Sequence, residues 1–165
     1  MGRVLARIEA LGLQLPPPLR PPPGIVLPFA FAQRVGTRVL IAGHGPQAAD
    51  GGFAAPFGKV GAEVDVASAQ HSAMLTGLSM LASVQAEIGD LDRIIGWRRV
   101  FGMVNSAPGF QDQPTVINGF SNLIHDIFGL ETGRHVRSAV GMAELPWNMP
   151  VESEGELEID ASGLD

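Results

Sequence analysis

The segment that decides the fold is RHVRSAVGMAELPWNMPVESEGELEI, residues 134–159. Residues 135–143 and 151–159 are rich in β-forming residues and predict two strands. The residues between them, ELPWNMP, contain two prolines and an asparagine and predict a turn. In the second strand, glutamates at every other position alternate with mostly small or apolar residues, which is the pattern of a half-buried strand with one polar face.

Two helices are predicted before this segment. From Asp65 to Ile88 apolar residues recur every three or four positions, and Asp65 suits the N-cap. A second helix is predicted from Pro114, because proline is favourable in a first turn, to the stop at Gly129. Residues 91–104, between the two helices, predict a long strand.

The N-terminal part predicts a short amphipathic helix over residues 3–12 and a stiff polyproline-like connector, LPPPLRPPPG, over residues 15–24. Residues 25–32 and 38–42 predict a hairpin with its turn at 34–37, and the glycine-rich loop GHGPQAADGGF follows. We therefore divide the chain into an N-terminal helix and connector (1–24), one domain (25–160) and a C-terminal tail (161–165).

The order β-β-β-α-β-α-β-β predicts an α+β fold in which two helices cover one face of a sheet. No element is left to cover the other face. Because a large apolar face is not tolerated in a monomer exposed to water, we expect other copies of the chain to cover it.

Composition excludes several kinds of function. The chain has 165 residues and no cysteine, so disulfides and thiolate chemistry are ruled out. A net charge of -6 argues against nucleic acid as a partner, since only the pairs Arg98–Arg99 and Arg134–Arg137 cluster positive charge. The four histidines lack the spacing of metal ligands, so no metal site is expected.

No apolar run is long enough to span a membrane and no signal peptide is recognisable, which predicts a soluble cytoplasmic protein.

The segment 134–159 resembles the signature of the RidA/YjgF family, in which an arginine and a small polar residue precede a Leu-Pro turn and a strand bearing glutamate. The matching residues are Arg137, Ser138, Leu145, Pro146, Val151, Glu152 and Glu154. IAGHGP, residues 41–46, is similar to a family loop, and DVASAQHSAMLTGLSML, residues 65–81, to its long helix. The resemblance covers about residues 25–159. It implies a chorismate-mutase-like fold and a homotrimer with ligand sites between adjacent subunits.

The resemblance also implies roles for individual residues. Arg137 would form a two-pronged ion pair with the carboxylate of a small ligand, a geometry that suits guanidinium. Glu152 would orient or activate the water that attacks an imine carbon, although it also fits the polar face of a strand. Gly43 matches a glycine close to the ligand, and Asn118 an asparagine of the second helix. His44 is either a plain loop histidine or a further ligand contact.

Three positions depart from the pattern of active deaminases in the family. Phe29 stands where a tyrosine is common, Ala42 where a serine is common, and Ala139 where a cysteine is common. Each change removes a polar group near the expected ligand. Trp147 is expected to pack in the core or an interface, or to form a wall of the cleft.

Two functions remain open, together with a weaker third. The first is hydrolysis of 2-imino or enamine acids to 2-oxo acids and ammonia, which needs no cofactor. The second is a non-catalytic protein that binds a small carboxylate in the same cleft. The third is an endoribonuclease, against which the acidity of the chain argues.

Overall fold

The computed structural model describes residues 2–17, 19 and 23–161. Its elements are α1 (Arg3–Ala10), β1 (Ala32–Val35), β2 (Arg38–His44), α2 (Val66–Ile88), β3 (Ile94–Asn105), α3 (Gln113–Thr132), β4 (Val136–Met142) and β5 (Val151–Ile159). The strands form one mixed sheet in the order β1-β2-β5-β3-β4, in which only β3 and β4 pair in parallel. This arrangement confirms the predicted α+β fold with two long helices on one sheet face.

The core lies between α2, α3 and the sheet. The N-cap predicted at Asp65 is confirmed, since its Oδ1 accepts a hydrogen bond from the backbone N of Ser68 at 2.8 Å. Trp97 of β3 and Phe120 of α3 are buried and meet edge to face, with ring centroids 5.5 Å apart. The packing of these residues fixes α3 over the β3–β4 side of the sheet.

The predicted N-terminal helix is confirmed as α1, which packs on α3 and on the turn Leu91–Arg93. The Asp92 carboxylate accepts hydrogen bonds from the backbone N atoms of Arg3 and Val4, each at 2.7 Å. Pro18, residues 20–22 of the connector and residues 162–165 of the tail lie outside the described residues. The polyproline connector and the domain limits therefore stay predictions.

Several predicted elements were wrong in extent or number. The strand expected at 25–32 begins only at Ala32, and Pro28 lacks the N–H that a ladder needs. Val35 pairs with Arg38, so the hairpin turn is two residues long. A third strand before α2 is absent from the described residues, where 45–65 forms only isolated bridges. Strand β3 starts at Ile94 after a 3-10 turn, and α3 runs past a break at Gly129 to Thr132.

The sheet face opposite the helices differs from the apolar surface that the sequence predicts. Three ion pairs lie on it, joining Arg38 to Glu156, Arg98 to Glu158 and Arg99 to Glu154. The side chains of Leu40 and Ile95 are exposed nearby. This open face thus carries both charged and apolar side chains.

None of the described helices is long and apolar enough to cross a bilayer.

Candidate ligand-binding site

A pocket of about 220 Å³ lies on the open side of the sheet, beside the end of β2 and the start of β5. Three of the predicted site residues line it, namely Phe29, Gly43 and Glu152. Phe29 and Phe31 meet edge to face at its rim, with ring centroids 5.4 Å apart. The structure thus brings together one part of the predicted site.

The Glu152 carboxylate lies directly against the backbone of Gly43. A Cβ atom at residue 43 would overlap Glu152 Oε1 and would lie 3.0 Å from its Cδ, so only glycine leaves room for the carboxylate in this position. Burial, and secondarily the charge of Glu154, raise the pKa of Glu152 above its ordinary value. A half-buried carboxyl with a raised pKa is suited to accept a proton near neutral pH.

His44 lies behind this pocket and does not line it. Its Nδ1 donates to the carbonyl oxygen of Ala42 at 2.7 Å, and its Nε2 therefore accepts from the Ser83 hydroxyl at 2.8 Å. The ring is fully buried, and burial lowers the pKa of His44 below its ordinary value. His44 thus fixes the end of β2, including Ala42, against α2.

Arg137 lies elsewhere, at the edge strand β4 beneath the start of α3. Its Nη1 donates to Asn118 Oδ1 at 3.1 Å and to Ser121 Oγ at 2.9 Å, and its Nη2 donates to the Pro114 carbonyl at 3.2 Å. These acceptors are neutral, and no carboxylate among the described residues is within ion-pair distance. Burial lowers the pKa of Arg137, yet an arginine keeps its charge. Ala139, the next residue on the same face, packs against the core.

A serine–histidine pair that the sequence did not indicate supports Arg137. His135 Nδ1 donates to the Gly133 carbonyl at 2.7 Å, so its Nε2 accepts from the Ser121 hydroxyl at 2.9 Å. The lone pairs of Ser121 are then free to accept from Arg137. The spacing of these residues in the chain carried no recognisable signal, because they meet only through the packing of α3 on β4.

Arg137 and Glu152 of one chain lie on opposite faces of the sheet. Arg137 pairs across from Val100, which is buried under the helices, whereas Glu152 pairs across from Met103, three residues further along β3. Since side chains alternate faces along a strand, positions 100 and 103 point to opposite sides. Strand spacing and rise also separate the two backbones by about 14 Å. The two residues cannot contact one ligand within a single chain.

Aromatic residues that the resemblance did not indicate form the wall of the pocket. Trp147 stacks on Phe53 with ring centroids 4.8 Å apart and planes at 29°. Trp147 has φ +52° and Asn148 φ +58°, in the left-handed region that costs a residue with a β-carbon roughly 1–2 kcal/mol. The sequence pointed to Trp147 as a possible wall, but Phe53 lies in a glycine-rich loop without periodicity.

The side chains available for chemistry are therefore a carboxylate in an apolar pocket and a separate guanidinium. Such groups perform proton transfer and anion binding. No three His, Asp or Glu side chains among the described residues are placed to hold a metal ion.

No family model matches the chain. Protein TCP17 of Trypanosoma cruzi is 36% identical over 159 residues, which are 96% of each chain. Among solved structures, Atu1372 of Agrobacterium tumefaciens, of unknown function, is 40% identical with a TM-score of 0.84, covering 95% of this chain and 92% of that one. A proposed endoribonuclease of Shewanella oneidensis is 27% identical with a TM-score of 0.83, covering 94% and 99%. Escherichia coli TdcF, solved with bound serine, is 18% identical with a TM-score of 0.55, covering 84% and 93%, and shares the fold.

The mixed five-stranded sheet, with its helices on one face, places the molecule among the small α+β proteins of this fold. Together with the relatives that are 36% and 40% identical over nearly the full length, it establishes that the chain belongs to the RidA/YjgF family.

Proposed function

We propose that the protein hydrolyses 2-imino acids, and the enamine acids that tautomerise to them, to 2-oxo acids and ammonia. A water molecule adds to the imine carbon and one of its protons passes to nitrogen, which gives a carbinolamine. The proton of the new hydroxyl group then also passes to nitrogen as the carbon–nitrogen bond breaks. Ammonia leaves, and the carbon keeps the water oxygen as a carbonyl. Glu152 orients the water and accepts its proton, and Arg137 binds the substrate carboxylate. The reaction uses no cofactor.

The observation that carries the proposal is the state of Arg137. A guanidinium has five N–H donors, and three of them are used by Asn118, Ser121 and Pro114. Two donors and the full positive charge are left in a half-buried position without a carboxylate among the described residues. A carboxylate that accepts two hydrogen bonds satisfies both the donors and the charge.

The separation of Arg137 from Glu152 supports a site shared by two copies. Since the two side chains lie on opposite faces of one sheet, a ligand that contacts both must lie between neighbouring chains. A closed ring of three copies, the homotrimer expected from the sequence, repeats this cleft three times. Such a ring would cover the open face, on which Leu40 and Ile95 are exposed beside ion pairs.

The serine bound to TdcF also supports a small ligand that carries a carboxylate. The endoribonuclease assignment of other neighbours fits this chain less well, because its net charge is -6 and its Arg98 and Arg99 are paired with glutamates. The absence of nucleic-acid and membrane partners and the cytoplasmic location stay predictions.

A non-catalytic carboxylate-binding protein is the second candidate. It is favoured by the apolar side chains of Phe29, Ala42 and Ala139, which offer the ligand no hydrogen bonds. Ammonia release from freshly generated imino acids separates the two functions. The blank must contain the Arg137→Ala protein, because imines also hydrolyse spontaneously. A rate above this blank is expected for the wild type, and a rate equal to it would leave only the binding function.

A further inference from the structure

The pocket beside Glu152 has an apolar wall, and neither anion binding nor proton transfer requires apolar side chains. Apart from Glu152, every side chain from the described residues that lines it is apolar. These apolar side chains belong to Phe31, Phe53, Trp147 and Met149, to Phe29 at the rim, and to Leu19, Leu27 and Pro146. A small polar ligand would gain little from such a surface, since apolar walls stabilise apolar groups.

The aromatic wall is held in a defined position. The turn at 146–149 is fixed by hydrogen bonds from Met149 N to the Pro146 carbonyl at 3.1 Å and from Gly58 N to the Asn148 carbonyl at 2.8 Å. The Asn148 side chain also accepts from Asn105 Nδ2 at 3.2 Å. These contacts hold Trp147 in a backbone conformation that residues with a β-carbon disfavour. Its indole stacks on Phe53 and remains 46% exposed, so it is placed at the pocket and not in the core.

The floor of the pocket is formed by the Met149 side chain, and Gly45 leaves room for it. A Cβ atom at residue 45 would overlap Met149 Sδ and would lie 2.9 Å from its Cε, so the glycine lets the Met149 side chain lie over the loop. Thioethers adapt well to aromatic rings. The floor and the wall thus both favour a flat apolar group.

The size of the pocket limits what it can hold. Its volume of about 220 Å³ exceeds the roughly 150 Å³ of a cavity that binds benzene. It is smaller than the roughly 300–1,000 Å³ of sites for whole drug-sized ligands. The pocket therefore fits one ring-sized part of a ligand and leaves the remainder outside.

Charge fixes the orientation of such a ligand. A ligand carboxylate placed beside Glu152 would meet another carboxyl group, which is unfavourable. The carboxylate must therefore point out of the pocket, and the apolar part must point in. In the proposed cleft, this orientation places the carboxylate towards the Arg137 of a neighbouring copy.

We propose that this pocket is a specificity subsite for the aromatic side chain of the ligand, so that the substrates are 2-imino acids whose side chain carries one planar ring of about phenyl size. This inference rests on the proposed function for the nature of the reaction. The subsite itself is defined by Trp147, Phe53 and Met149.

Binding of stable 2-oxo acids tests the subsite without turnover. By calorimetry, the full-length wild type should bind phenylpyruvate at least about 10-fold more tightly than pyruvate. Trp147→Ala should remove most of this preference by weakening phenylpyruvate alone, and Trp147→Phe should restore most of it. Leu130→Ala, which removes an apolar side chain that is 75% exposed at the end of α3, is the matched control and should change neither affinity.

The outcomes separate the subsite from the reaction. If phenylpyruvate is preferred but no imine is hydrolysed faster than the blank, the subsite stands and the proposed reaction falls. Imine hydrolysis with equal affinity for the two oxo acids would overturn the subsite alone. Failure of phenylpyruvate to bind at millimolar concentration would also overturn it, and so would an equal loss of both affinities in Trp147→Ala. Should Trp147→Ala fail to fold, Phe53→Ala removes the stack from the other side and must give the same loss of preference.

Discussion

Arg137 is the residue on which recognition of the ligand depends. Arg137→Ala should weaken binding of small 2-oxo acids by roughly 2–4 kcal/mol, the scale for loss of a charged hydrogen-bond pair. Arg137→Lys should recover only part of this, because an ammonium cannot reproduce two parallel hydrogen bonds. Arg134→Ala, an exposed arginine three residues away, is the control. Calorimetry measures all three variants, and an Arg137→Ala protein that binds like the wild type would remove the anchor from this site.

Gly43 should matter for activity far more than for stability. The Cβ atom of Gly43→Ala overlaps the flexible end of Glu152, which can swing away, so the free energy of unfolding should change by less than about 1 kcal/mol. The displaced carboxylate should slow imine hydrolysis by about 10-fold or more. In the Glu152→Gln background, the same change should add little, because its target is already lost. An equal rate loss in both backgrounds would contradict the role given to this contact.

The raised pKa of Glu152 predicts a pH-dependent difference in stability. A carboxyl whose pKa is raised in the fold contributes stability below its unfolded pKa and loses that contribution as the pH rises through its folded pKa. Glutamine does not titrate. The Tm of Glu152→Gln relative to wild type should therefore rise from about pH 4 towards neutral pH. Thermal unfolding measures this, with exposed Glu131→Gln as the control, and a difference independent of pH would contradict the effect of burial.

Among the secondary-structure elements, α2 and α3 make the closest helix contact. A Cβ atom at Gly119 of α3 would overlap the backbone carbonyl oxygen of Gln70 in α2. Because a backbone atom cannot move away alone, Gly119→Ala should push the helices apart and destabilise the fold by roughly 1–3 kcal/mol. Chemical denaturation measures the change, and Asn122→Ala on the exposed side of α3 should have little effect. Equal stability of the two variants would contradict the close packing.

Elements with a strong local signal could be predicted from the sequence. Asp65 and the apolar periodicity after it fixed the start of α2, because capping and amphipathicity act within a few residues. The strand expected at 25–32 begins only at Ala32, because the β-forming residues before it have no strand to pair with. Strand pairing depends on distant parts of the chain, and local composition does not report it.

For a similar reason, the sequence could not predict that Arg137 and Glu152 of one chain lie on opposite faces of the sheet. The faces of Arg137 and Glu152 follow from the register of β4 and β5 on β3, which residue spacing does not determine. The partners Ser121 and His135, and the stack of Phe53 on Trp147, likewise arise from packing between distant segments. The sequence identified the arginine, the glutamate, Phe29 and Trp147, but it gave no indication that Phe53 stacks on Trp147.

The whole molecule is expected to work only as an oligomer. Sedimentation should give about three times the 17.4 kDa chain mass, as a closed threefold ring requires. A monomer at micromolar concentration would leave Arg137 and Glu152 on separate faces, with no ligand able to contact both.

The central claim is that Arg137 of one copy and Glu152 of another form each site, and mixing two inactive variants tests it. Oligomers assembled from equal amounts of Arg137→Ala and Glu152→Gln chains should regain about a quarter of the wild-type rate of ammonia release, because a quarter of the interfaces then combine an intact arginine with an intact glutamate. Each variant alone should stay near the spontaneous rate. If the mixed oligomers form, as shown by mass analysis of differently tagged chains, and the activity does not return, the shared site is contradicted.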